Sequence, residues 1–310
     1  MTQTGTGKYE RLLERCHGLA PIPTAVAYPC DESSLSGAID AARLGLIVPI
    51  LVGPATTIAD VALTKGIDIH GAQVIDIPDS RGAAARAVEL VRQGRAELVM
   101  KGSLHSDEVL GAVIAKETGL RTGRRLSHAF LMDVPTYHKV LIVTDAAINI
   151  APTLEDKVDI CQNAIDLART FGVEKPKVAI LAAVETVNSK MPATLDAAAL
   201  CKMADRGQIK GGLLDGPLAF DNAISRDAAK TKGITSDVAG DPDILLAPDL
   251  EAGNMMAKML SFLANADSAG LVLGARVPVI LTSRADSVRS RIASCAVAVL
   301  AAHARRQPAR

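Results

Sequence analysis

Short runs rich in Val, Ile and Leu alternate with longer stretches of helical spacing along almost the whole chain. Residues 24–28, 46–52, 73–77, 97–100 and 140–144 read as strands, and 34–44, 80–92 and 106–118 as helices, with Gly45, Gly94 and Gly119 placed as helix stops. A second series comes after them, with strands at 177–182, 211–214, 244–246, 270–273 and 277–281. Strands joined through helices pair by parallel crossovers, so the pattern predicts an α/β fold with mostly parallel sheets in three α/β/α layers. A chain of 310 residues exceeds the ~250–300 that one core usually holds, which predicts two lobes and a cleft. The long helix 154–170, opened by Thr153 as N-cap with Asp156 three residues on, begins the second lobe after a crossover near Pro135. The Ala/Val-rich helix 288–305 returns to the first. The expected lobes are 1–138 with 286–310, and 139–285.

Composition narrows the partners. With 34 basic and 34 acidic residues the chain has no bulk charge to recognise nucleic acid or a membrane surface. Aromatics make up 2% and Trp is absent, which argues against base-stacking platforms. The five cysteines are odd in number and show no CxxC spacing, as expected of reduced thiols in the cytoplasm. The start of the chain has no apolar leader and no later apolar run is long enough to span a bilayer. Gly5-Thr6-Gly7-Lys8 lacks the strand, spacing and following Ser/Thr of a phosphate loop.

Unusual chemistry falls repeatedly after a predicted strand, where open α/β sheets bind ligands. Lys101-Gly102-Ser103 follows the strand ending at Met100, with Gly102 permitting close backbone approach and Ser106 placed to cap the next helix. Thr144, Asp145 and Asn149 follow Val143, and Glu185 and Asn188 follow the strand ending at Ala182. Asp215-Gly216-Pro217 follows Leu214 and reads first as a tight turn. Glu251 and Asn254 follow the strand ending at Leu246. His105 and Asp107 lack a third ligand at any metal spacing, so no metal site is predicted. Ser283 lacks a Gly-x-Ser-x-Gly frame, which excludes the nucleophile elbow of a serine hydrolase.

The turn Thr282-Ser283-Arg284-Ala285-Asp286-Ser287 joins the last strand to the last helix. Helix N–H groups, the Ser283 and Ser287 hydroxyls and the planar fork of Arg284 together suit a phosphate, while Asp286 offers an N-cap or a base.

These stretches collected, the chain resembles the phosphate acetyltransferase/phosphate butyryltransferase family over nearly its whole length, and the butyryl branch more than the acetyl branch. The resemblance is carried by Lys101-Gly102, Leu126-Ser127-His128, Thr144-Asp145 with Asn149-Ile150-Ala151-Pro152, Ala182 to Asn188, Gly207 to Gly211, Asp215 to Ala219, Glu251-Ala252-Gly253-Asn254 and Leu281 to Ser287. It implies an isocitrate/isopropylmalate-dehydrogenase-like topology, a homodimer, and transfer of a short acyl group, acetyl to butyryl, between CoA and inorganic phosphate. CoA is then a substrate, with no permanently bound cofactor. Ser283 and Arg284 match the family's active-site pair, Ser283 stabilising developing charge and Arg284 holding phosphate or CoA. Ser127 joins the expected substrate contacts by the same match.

Two departures stand out. Val109-Leu110-Gly111-Ala112 replaces the acetyl branch's Thr-Leu-Arg-Pro run, removing a phosphate-binding Arg. Ser290 stands where that branch carries an acidic thiol base, leaving Asp286 or Asp145 as substitutes. Two other classes compete with the transferase: a CoA or acyl-phosphate sensor without turnover, and an NAD- and metal-dependent decarboxylating dehydrogenase of the same fold, for which a suitable acidic cluster is lacking.

Overall fold

The computed structural model describes residues 7–282 and 286–306. The chain opens with α1 (Lys8–Glu14), β1 (Ile22–Ala27), α2 (Glu32–Arg43), β2 (Ile47–Gly53), α3 (Ala55–Lys65), β3 (Gln73–Asp76), α4 (Ser80–Arg92), β4 (Leu98–Lys101) and α5 (Ser106–Ile114). It continues through β5 (Ser127–Asp133), β6 (Leu141–Thr144), α6 (Leu154–Thr170), β7 (Lys177–Leu181), α7 (Pro192–Asp205), β8 (Leu213–Leu218), α8 (Phe220–Ile224), α9 (Arg226–Thr231), β9 (Ile244–Leu246) and α10 (Leu250–Leu263). β10 (Asp267–Leu273), β11 (Val279–Ile280) and α11 (Val288–Arg306) complete it. This is the α/β architecture that the alternation predicts. Among the described residues no helix is long and apolar enough to cross a membrane.

Local chemistry sets the element ends. Asp31 and Asp79 accept from backbone N–H groups three residues on, at 2.8 Å in each case, and so cap α2 and α4. Thr153 and Asp156 form the expected reciprocal box at the start of α6. The cap of α5 falls one residue before the expected Ser106: the backbone N–H of His105 donates to the Glu108 carboxylate at 3.0 Å.

Two compact units emerge from the contacts. One holds Tyr9–Arg124 and the chain from Ala269 on; the other holds Lys8 and Arg125–Ser268. The sequence pattern sets the boundaries at 138 and 286, some way further along. Residues 125–138 group with the segment after them because β5 pairs antiparallel with β6, Ala129 opposite Thr144. Residues 269–282 group with the opening segment because β11 lies parallel to β4, Ile280 opposite Met100, and antiparallel to β10.

In the Tyr9–Arg124 unit the strand order is β3-β2-β1-β4-β11-β10. The chain steps outward from β1 to β3 and then returns past β1 to β4. Right-handed crossovers therefore put α2 and α3 on one face and α4 on the other. The packing agrees, with α2 against α3 and α11, and α4 against α5. In the other unit the order is β5-β6-β9-β7-β8, with β9 inserted between β6 and β7. β5, with its polar opening Ser127-His128, carries too weak a strand signal to stand out in sequence.

Candidate active site

The strand order of the first unit reverses between β1 and β4, and open α/β sheets bind ligands at the carboxyl ends beside such a reversal. Gly102 stands there. Its N–H donates to the Ala27 carbonyl at 2.8 Å, and a Cβ on it would lie 2.4 Å from the carbonyl oxygens of both Ala27 and Tyr28. Only glycine fits that approach. Ser103 extends the stitch, its N–H and its hydroxyl each donating to the Tyr28 carbonyl at 2.9 Å. Lys101 is buried at the end of β4, with Nζ 3.4 Å from the Gly102 carbonyl and 3.5 Å from that of Thr282.

Thr282 leads into residues 283–285, so Ser283 and Arg284 lie outside the described residues. What holds Thr282 is visible. Arg291, only 2% exposed on α11, donates to Thr282 Oγ1 at 3.0 Å and to Ser33 Oγ at 3.3 Å. Gly37 makes room for it, since a Cβ there would come within 3.0 Å of Arg291 Cδ. Asp31 sits in the same cluster. Burial alone would raise its pKa, but hydrogen bonds from Ser34 and Ser33 and the charge of Arg291 hold it below the usual carboxylate range. Ser287 is taken up by the helix: its Oγ accepts from the Ser290 N–H at 3.1 Å, the N-cap bond of α11. Asp286 is half-buried just before that cap. Burial and the Asp31 charge push the Cys30 thiol up to about 11.

In the second unit the loop after β6 is built on Asp145. One carboxylate oxygen accepts from the N–H groups of Ala147 at 2.9 Å and Ile148 at 3.1 Å. The other accepts from the Asn149 N–H at 3.2 Å and from its side-chain amide at 2.5 Å. That amide also donates to the Leu126 carbonyl at 2.8 Å, while Arg125 Nε donates to Asn149 Oδ1 at 2.8 Å. From the other side, Asn254 donates to the Ala146 carbonyl at 3.0 Å, and a Cβ on Gly253 would lie 2.3 Å from the Asp145 carbonyl oxygen. Asp145, Asn149 and Asn254 thus form one locked loop. Glu251 is exposed in the first turn of α10.

Ser127 and Thr144 lie within the fold. Both are fully buried, Ser127 accepting from Asn163 at 3.0 Å and Thr144 donating to the His128 carbonyl at 2.9 Å. Glu185 joins Asn222 at 3.2 Å and Lys232 at 3.1 Å, and Lys232 also pairs with Asp221 at 3.1 Å. The Lys232 hydrogen bond holds the Glu185 carboxyl below its ordinary range. Asn188 accepts from the Lys190 N–H at 2.9 Å, a turn contact. Asp215 accepts from the Gly216 N–H at 2.8 Å. Gly216 is required by packing, since a Cβ would lie 2.8 Å from Ile180 Cβ, beside the register shift between β7 and β8. Pro217 is buried there.

Sequence reasoning missed Arg291, Asp31 and Ser33 in one unit, and Asn222 and Lys232 in the other. Arg291 carries a signal, a charge set two residues after Arg289 where the Ala/Ser/Val-rich run of the helix begins. Lys232 and Asn222 reach Glu185 from separate elements, which no local pattern reveals. The first unit therefore gathers buried positive charge and hydroxyls at a strand reversal, suited to an anion, and the second offers rigid polar loops. Among the described residues no three His, Cys, Asp or Glu side chains could together hold a metal.

A family model described as phosphate acetyl/butaryl transferase matches residues 79–299. A phosphate acetyltransferase of Rhizobium meliloti is 62% identical over 96% of this chain and 95% of its own. A phosphate butyryltransferase of Clostridium acetobutylicum is 45% identical over 90% of this chain and 92% of its own. Of these two the acetyltransferase is the more alike, although the motifs read from sequence lean to the butyryl branch; short motifs sample residues both branches share, whereas identity counts the whole chain. A branched-chain phosphotransacylase structure from Enterococcus faecalis V583 matches with TM-score 0.78 at 28% identity, over 91% of this chain and 99% of that one. The chain is a transferase and belongs to the phosphate acetyl/butaryl transferase family.

Proposed function

We propose that this enzyme exchanges a short acyl group, from acetyl to butyryl, between CoA and inorganic phosphate within a single ternary complex. The observation that carries this reading is the 62% identity to a phosphate acetyltransferase across 96% of the chain. The buried cations beside the β1/β4 reversal support it, since phosphate is already anionic and needs neutralising rather than activation. Positioning then supplies much of the rate. Arg284 holds the phosphate, and Ser283 stabilises the oxyanion of the tetrahedral intermediate, a contact whose loss costs about 10²–10³ in rate. Asp286 is the base for the CoA thiol in the reverse direction, because the Asp145 carboxylate is committed to four donors of its own loop. Lys101, Gly102 and Ser103 shape the phosphate site.

CoA release from acetyl-, propionyl- and butyryl-CoA, with and without phosphate and in the presence of EDTA, tests the activity. The expected result is phosphate-dependent, EDTA-resistant release that falls at least tenfold in Ser283→Ala; no phosphate-dependent release from any substrate would sink the proposal. Exchange of labelled phosphate into acetyl phosphate without CoA would reveal an acyl-enzyme and exclude the direct route. The resemblance also implies a homodimer. Met255, Met259, Phe262 and Leu263 form an exposed stripe along α10 that such pairing would cover. Light scattering of Phe262→Asp should show dissociation.

A further inference from the structure

At the amino ends of β7 and β9, away from the strand ends that carry Asp145 and Glu185, lies a polar cavity of about 400 Å³. Its floor is apolar, formed by Ala229, Ile234 and Ala239. Its wall is cationic. Arg226 and Lys230 stand four residues apart on α9, where side chains share a face, and Lys177 projects from the first position of β7. Like charges so placed repel unless an anion lies between them.

The carboxylates nearby do not cancel this charge. Asp241 is shared among Lys177 at 2.6 Å, His138 at 2.9 Å, Lys139 at 3.1 Å and Arg226 at 3.3 Å. Asp243 pairs with Lys139 at 2.8 Å. Burial works against the charge on Asp241, but hydrogen bonds from Lys177 and Lys139 overcome it and hold the carboxyl well below the usual range, as a positive surrounding requires. Lys230 makes no ion pair among the described residues. Asp237 is the remaining acid of the lining, exposed on the loop after α9. Among the lining residues, three full cations, Lys177, Arg226 and Lys230, thus face two carboxylates, Asp237 and Asp241. Gly240 fixes the wall, since a Cβ there would lie 2.5 Å from the Arg226 backbone nitrogen.

We propose that this cavity binds a compact polyanion, through the Lys230, Arg226 and Lys177 side chains and over Ala229 and Ile234. Phosphate and carboxylate oxygens both suit these cations, so isothermal titration of the full chain with inorganic pyrophosphate and with citrate separates the two. One saturable site per chain is expected, for one probe more than the other. Lys230→Glu and Arg226→Glu should each weaken it at least tenfold, while Asp237→Asn should tighten it. Lys230 has no ion pair to lose among the described residues and Arg226 is largely exposed, so thermal unfolding should stay near wild type, and kcat and KM for acyl exchange within twofold. Binding that Lys230→Glu leaves unchanged, or that CoA alone abolishes, would place the anion elsewhere and overturn the site. Absence of binding by both probes would overturn it equally, and neither result depends on whether acyl exchange occurs.

Discussion

After β4 the chain turns on a glycine pressed between two carbonyl oxygens and leaves Lys101 and Arg291 buried beside it, whereas after β6 it turns on a carboxylate that accepts four N–H bonds. Both loops follow the carboxyl ends of strands, and both are rigid. They differ in what their charges are free to do. A buried cation resting on carbonyl and hydroxyl oxygens keeps its field, which an incoming anion can use. A carboxylate whose lone pairs are already taken by its own loop has little left for a substrate proton. Charge type alone does not separate a binding residue from a loop-holding one; the partners do.

The glycines give the hardest test of this contrast. Gly102→Ala puts a methyl group 2.4 Å from two backbone oxygens of a central strand end, which cannot move without disturbing the β1/β4 pairing. Stability should fall by about 3 kcal/mol or more, and activity at least 100-fold. Gly253→Ala clashes as closely with the Asp145 carbonyl, but from a helix that can tilt, so urea unfolding should show a smaller loss. Equal losses would mean that the two loops are equally anchored and that the contrast fails.

Arg291→Ala comes next. It empties a buried guanidinium site and releases Thr282, the residue before Ser283, at a cost of about 3 kcal/mol and roughly 100-fold in kcat/KM. Lysine restores the charge but not the two-pronged reach to Thr282 and Ser33, so Arg291→Lys should recover stability more than activity. Parallel recovery of both would reduce Arg291 to a packing role.

For Asp145 the two readings diverge sharply. Asp145→Asn keeps the shape but turns one acceptor into a donor facing the Asn149 N–H and amide, which should cost about 1–3 kcal/mol. A loop-holder loses stability with a changed KM and an unaltered pH profile. A thiol base instead loses kcat and the acidic limb of the pH–rate curve while unfolding normally, and that result would make Asp145 rather than Asp286 the base.

The α/β class, both long helices and nearly all of the parallel strands are legible because βα alternation and caps such as Thr153 and Asp156 are local signals. β5 is not, since its place is fixed by pairing with β6 rather than by its own residues. The candidate site divides the same way. Lys101 to Ser103 and Asp145 announce themselves after strands, and Gly102 by its type. Their partners come from far along the chain, as when Arg291 meets Ser33, or Lys232 meets Glu185. Equally hidden is that Ser127, Thr144, Asn188 and Ser287 spend their polar groups on the fold itself.

A third carboxylate sharpens the comparison further, with the smallest expected effect. Asp241 is held by cations and Asp145 by neutral N–H groups, so only the first should respond to salt. The native Asp241 carboxyl titrates below the 3.8 of an ordinary aspartate, so its contribution is whole above about pH 4 and lost as the pH falls through the native value. Asp241→Asn should therefore cost about 1–2 kcal/mol between pH 5 and 7, with the gap to wild type closing below about pH 4 and shrinking in roughly 0.5 M salt. The Asp145→Asn gap should persist in salt, because the bonds it breaks carry no cation. Matching salt responses would mean that the surroundings of the two carboxylates, so different in geometry, act on them alike.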